Sequence, residues 1–131
     1  MDKFVLYFAG AVFTAFGLAC LISPGIAADA AGLSMQNADA VAEIGAMYGG
    51  FQTGFGLFCL LAAWQPVYRR AGLWALLLGI GLLAAGRSYH AIVASGDLSA
   101  YTYGAIAFES FITLLAALGL RRGNQGRDAD H

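Results

Sequence analysis

Apolar residues fall into four long runs, about 4–22, 41–64, 71–94 and 101–120, separated by short polar joints. Each run is near the roughly 20 residues that a helix needs to cross a bilayer. A lone strand in hydrocarbon would leave its backbone groups unpaired, so the runs are read as helices. The joints carry turn chemistry: Ser23-Pro24-Gly25 stops the first helix, Gln65-Pro66 the second and Ser95-Gly96-Asp97 the third. Asn37 or Asp39 is placed to cap the second helix, and Asp97 or Ser99 the fourth. The pattern predicts an all-α fold: an antiparallel, up-down membrane four-helix bundle in one domain over residues 1–131. Residues 121–131 form a polar, solvated tail.

Composition strengthens this reading. Of 131 residues, 60% are hydrophobic and 11% charged, and the mean hydropathy is +0.68. A soluble domain is about a quarter charged, and a chain this short has too little interior to hide so much apolar surface. The net charge of −1 argues against a nucleic-acid partner, which requires a basic face. Membrane lipid is the expected surrounding.

Charge placement sets the expected orientation. Threaded in order, the helices bring Lys3, Arg69, Arg70, Arg121, Arg122 and Arg127 to one side, while the opposite loops hold Asp29, Asp39 and Asp97. The positive-inside rule then makes both termini cytoplasmic, in a multi-pass protein of the bacterial inner membrane. Trp64 and Trp74 flank the cytoplasmic hairpin and Tyr101 and Tyr103 mark the other surface, as aromatic belts do. Ala28-Asp29-Ala30 imitates a signal cleavage site, but the preceding apolar run is longer than the 7–15 residues usual in such peptides. Cys20 and Cys59 fall at depths about 24 Å apart at helical rise, too far for a disulfide, and read as small apolar residues.

The ionisable residues inside the runs are the candidates for chemistry. Counted from the outer ends, Arg87, Glu109 and Tyr48 lie about seven or eight residues deep and Gln52 about eleven. His90 and Glu43 lie shallower. A lone Arg near the bilayer centre costs about 2.5–3.5 kcal/mol on insertion scales. Arg87 and Glu109, of opposite sign and matching depth, are expected to offset each other through a bidentate bond. His90 shares the Arg87 face at i, i+3. Glu43, Tyr48, Gln52, His90, Arg87 and Glu109 are therefore read as one outward-facing polar pocket. An Arg–Glu pair can equally serve only to fix helix register.

Small residues suggest how the helices approach. In the second run Gly45, Gly49, Gln52 and Gly56 form one stripe, and Glu43, Met47, Gly50 and Gly54 another on the opposite face. Small-xxx-small patterns of this kind allow close backbone contact, so the second helix is expected to pack on both sides. Gly79 and Gly86 make a narrower strip on the third helix, and Ala105, Glu109, Thr113 and Ala116 one on the fourth.

Glu43-Ile-Gly-Ala-Met-Tyr-Gly-Gly50 and Gly86-Arg87 resemble the small bacterial four-helix membrane proteins of domain-of-unknown-function family 4345. Glu43, Tyr48, Gly49, Gly50, Gly86 and Arg87 match that family's pattern, while Gly45 stands where the family has an arginine. The resemblance covers nearly the whole chain short of the tail and implies the same fold and location. The family is in turn loosely similar to DoxX-type proteins.

The leading functional expectation is a non-catalytic binding or accessory subunit, its polar pocket taking a lipid-like or quinone-like molecule or a partner helix. A homo-oligomer or another membrane protein is an expected partner. A small homodimeric proton-coupled transporter is the alternative, because intramembrane carboxylates and a histidine are the parts of a relay. A membrane enzyme on a lipid-phase substrate ranks third, since no nucleophile–base–orienter set can be assigned. Neither a metal nor a cofactor is expected: one intramembrane histidine with no nearby cysteine offers no ligand spacing, and no nucleotide loop is present.

Overall fold

The computed structural model describes residues 1–128, with side chains through Arg122. It contains five helices: α1 (Asp2–Ile22), α2 (Gly25–Ala31), α3 (Ala38–Trp64), α4 (Pro66–Val93) and α5 (Ala100–Asp128). Strands are absent among the described residues. Helices α1, α3, α4 and the Ala100–Arg122 part of α5 are long and apolar enough to cross a membrane. Ile22, Leu82 and Ile92 are 85%, 73% and 83% exposed. Side chains of this size on the outside of each span need lipid as their solvent, because water would charge about 25 cal/mol for each Å² of apolar surface left exposed.

The helix ends follow local chemistry. Asn37 caps α3, its Oδ1 accepting from the Ala40 N–H at 2.9 Å. Helix α5 begins after Ser99, whose carbonyl accepts from the Thr102 N–H. Past the end of α4, Gly96 adopts φ 122°, a left-handed backbone that suits glycine.

Three features depart from the expectation. Helix α4 starts at Pro66, five residues earlier than the apolar run, because proline is at home in a first helical turn. The joint to α3 is Gln65 alone, extended at φ −94° and ψ 115°. The segment after Ser23 is helical rather than loop: α2 closes on Gly32 at φ 67°, whose N–H donates to the Ala28 carbonyl. The α5 helix runs to Asp128, past the expected end at 120; residues 129–131 of the expected tail lie outside the described residues.

Two wide turns also interrupt the spans. Gly45–Phe51 in α3 and Leu76–Ile80 in α4 are π-helical. Such i→i+5 turns are uncommon and insert an extra residue into the ladder.

The contacts sort the chain into two compact units, Tyr7–Leu61 on one hand and Met1–Leu6 with the chain from Ala62 onward on the other. In the Tyr7–Leu61 unit, α1 and α3 approach backbone to backbone. A Cβ at Gly17 would lie 2.5 Å from the Thr53 N, one at Gly49 2.7 Å from Leu21 Cα, and one at Gly56 2.5 Å from Thr14 N. Phe13 meets Phe55 edge-on, with ring centroids 5.4 Å apart. Cys20, Ala27, Ala28 and Ile44 form a buried cluster that ties α2 to α1 and α3, with Phe16 and Tyr48 packed against it.

The glycines of the two α3 stripes differ in their surroundings. Gly49 and Gly56 pack tightly, against α1, where Gly10 and Gly17 answer them. Gly45 has only an ordinary contact, 3.5 Å to Pro24 Cγ. Gly50, Gly54 and Gly86 have open space where a Cβ would stand, with nothing within 4 Å among the described residues. The second stripe of α3 therefore has no close neighbour within the described structure, and Met47 on it is 50% exposed.

In the other unit α4 and α5 enclose a core of Leu73, Leu76, Ile80, Ala84, Ile112, Ala116 and Leu120, joined by Val5 and Leu6. Its close approaches use Gly72, 2.6 Å from Ala62 Cβ, and Gly81, 3.1 Å from Thr113 Cγ2. Both distances are to the Cβ that an alanine there would carry.

Candidate functional site

Among the described residues, the polar centre of the α4–α5 unit is the ion pair of Arg87 and Glu109. Arg87 Nη2 donates to Glu109 Oε1 at 2.8 Å, and Nε donates to Oε1 and Oε2 at 3.1 Å each. The guanidinium thus presents its Nε–Nη2 edge to the carboxylate, the fork geometry that Lys cannot reproduce. Glu109 is 4% exposed and is the one buried polar or charged residue among those described. Arg87 keeps 22% of its side chain exposed.

Local structure makes this pairing possible. Arg87 sits in the regular stretch of α4 beyond the wide turn, and Glu109 lies one turn before Thr113 on α5. Thr113 donates its hydroxyl to the Glu109 carbonyl at 2.7 Å, which keeps the threonine satisfied in an apolar setting. Gly81 meets Thr113 one turn further along α5, so small residues hold the helices close enough for the charges to meet. Two ions in hydrocarbon would be costly apart; bonded, each is the other's solvent.

Beside the pair runs an open groove of about 430 Å³ between α4 and α5. Gly81, Ala84, Ala85 and Ser88 line it from α4, and Ser110, Thr113, Leu114 and Ala117 from α5. Its volume lies in the range of small-ligand sites, about 300–1,000 Å³. Thr113 bonds to the carbonyl four residues back, as Thr53 does to Gly49. Ser88 and Ser110 make no hydrogen bond among the described residues, so two hydroxyls at one end of the groove remain available. The other end, at Gly81 and Ala117, is apolar.

The remaining expected site residues are placed as follows. His90 is exposed, with its ring edge-on to Tyr89 at 5.1 Å, and makes no ion pair with Glu109 among the described residues. Glu43, Tyr48 and Gln52 belong to the Tyr7–Leu61 unit. There Glu43 is exposed, Tyr48 packs on the Cys20–Ile44 cluster, and Gln52 is half-buried. Tyr48, Gly49 and Gly50 all fall within the π-helical stretch of α3.

The serines of the groove were missed in the sequence. Ser88 and Ser110 each follow a charged residue, and that adjacency is the signal that marks them: next to a paired charge on facing helices, they reach the same cleft. Gly10 and Gly17 were missed as well, although Gly10, Thr14 and Gly17 make a small-residue stripe at helical spacing.

Four apolar spans and a buried arginine–glutamate pair define an all-helical, multi-pass membrane protein. The chain belongs to the family described as domain of unknown function 4345, whose model matches residues 1–120. No curated protein and no solved structure matches it.

Proposed function

We propose that this is a non-catalytic binding or accessory protein of the bacterial inner membrane, whose α4–α5 groove takes a lipid-like or quinone-like molecule. The four spans alternate across the bilayer, with both termini in the cytoplasm, as the one-sided placement of Lys and Arg favours. The observation that carries the reading is the groove itself: ligand-sized, apolar along its length, with Ser88 and Ser110 at the end beside Arg87–Glu109. A carbonyl or hydroxyl of an amphiphile would accept from the serines while its chain lies along Ala84, Ala85 and Ala117. Arg87–Glu109 holds the two walls at a fixed spacing.

Binding fits better than proton relay. Between Arg70 and Arg87 on α4, and between Glu109 and Arg121 on α5, the sequence has no ionisable residue to carry a proton onward. The test is mass spectrometry of small molecules that copurify with the protein in mild detergent, compared with an Ala85→Leu variant that fills the groove. An amphiphile retained by the native chain and depleted in the variant is the expected result. A groove occupied instead by a second copy or a partner helix would show as a stable complex lost in the same variant, without small-molecule retention.

A further inference from the structure

A second guanidinium sits elsewhere in the α4–α5 unit, with no acid on it among the described residues. Arg69 lies in the first turn of α4, half-buried, and its Nε and Nη2 are buried atoms with no hydrogen-bond partner among the described residues. This is the same edge with which Arg87 grips the Glu109 carboxylate. A guanidinium stays charged at any physiological pH. Leaving two of its donors buried and unmade costs more than any neutral group would.

The surroundings are basic. Arg69 is one turn from Leu73 on the same stripe of α4, and Leu73 Cδ1 and Asp2 Oδ1 both lie against Gly119, 3.2 and 2.9 Å from where its Cβ would stand. Arg122 Nη1 is 3.6 Å from Met1 Sδ, which brings the end of the α5 span to the start of α1. Lys3, Arg69, Arg70, Arg121 and Arg122 therefore gather at one end of this unit, and Asp2 is the one acid with them among the described side chains. Asp2 forms no ion pair among the described residues.

We propose that Arg69 is the anchor of a binding site for a phosphate-type oxyanion, of the kind an anionic phospholipid headgroup presents at the membrane surface. The Nε–Nη2 edge matches two oxygens of one phosphate; both atoms are closed to solvent in this structure, so the Arg69 side chain turns outward to receive the headgroup. The flanking cations supply the long-range attraction that concentrates anionic lipid at a basic span end. The site is distinct from the Arg87 groove, since the two arginines are 18 residues apart on one helix, about 27 Å at helical rise.

The test uses the full chain in nanodiscs of phosphatidylcholine, with or without phosphatidylglycerol, and in detergent with inorganic phosphate. Phosphatidylglycerol should raise the melting temperature of the native chain, and native mass spectrometry should show its retention about tenfold or more over phosphatidylcholine. Arg69→Gln should abolish both effects, and Arg69→Lys, which keeps the charge and loses the fork, should lose most of the retention. Arg121→Gln should keep most of it. Stabilisation by millimolar phosphate alone, also lost in Arg69→Gln, would support the site with a free anion as its source. Equal losses for Arg69→Gln and Arg121→Gln would overturn the proposal in favour of diffuse attraction. So would an Asp2→Asn loss that overlaps fully with that of Arg69→Gln, because the guanidinium would then belong to Asp2.

Discussion

The two units solve the problem of holding helices together in lipid by opposite means. In Tyr7–Leu61, α1 and α3 are joined by what is missing: Gly17, Gly49 and Gly56 lack the carbon that would meet the facing backbone at 2.5–2.7 Å. In the other unit α4 and α5 are joined by what is added, a buried carboxylate gripped by three guanidinium hydrogen bonds. Apolar side chains gain nothing by leaving lipid for one another, so close packing and polar bonds are the forces left. The glycine contact tolerates no enlargement, because backbone cannot rotate away. The charged contact tolerates no subtraction, because the survivor stays ionised in low dielectric.

That contrast can be broken first at the ion pair. Arg87→Met or Glu109→Gln alone should lower stability by about 3–5 kcal/mol, read as a loss of melting temperature in nanodiscs. The double variant should lose less than the sum of the two. Additive losses would mean that the charges do not depend on each other.

The glycine contact comes next in size. Gly17→Ala and Gly56→Ala should each cost about 1–3 kcal/mol by forcing α1 from α3, whereas Gly54→Ala, with open space around it, should be neutral or stabilise by up to about 1 kcal/mol. Equal losses at all three, in detergent melts, would make the close approach irrelevant. Smallest is the start of α3, outside both contacts: Asn37→Ala should cost about 1 kcal/mol through its lost bond to the Ala40 N–H. Increased amide exchange confined to the first turn of α3 would report it.

The legible parts of this fold were those set by solvent and charge. Span number follows from apolar length alone, and Arg87 meets Glu109 because depth and sign left them few other partners. Side-chain detail resisted for a different reason. A glycine stripe marks where a helix is able to approach, not whether a neighbour comes. Gly49 and Gly50 are adjacent in one motif, yet Gly49 has Leu21 backbone against it and Gly50 has nothing within 4 Å among the described residues. The π turn at Gly45–Phe51 adds to this, because a register based on 100° per residue fails through a wider turn. The sequence pattern marks Arg69 only as a charge beside a loop, whereas Pro66 opens a helix that carries Arg69 into a half-buried position.

The single extended residue between α3 and α4 also governs how the protein is made. With Gln65 alone between Trp64 and Pro66, no soluble loop separates the two spans as they emerge from the ribosome. Neither can settle across the bilayer while the other waits in water, since the turn would have to be dragged through hydrocarbon with its backbone groups unpaired. Insertion of α3 is thus coupled to insertion of α4 through one residue.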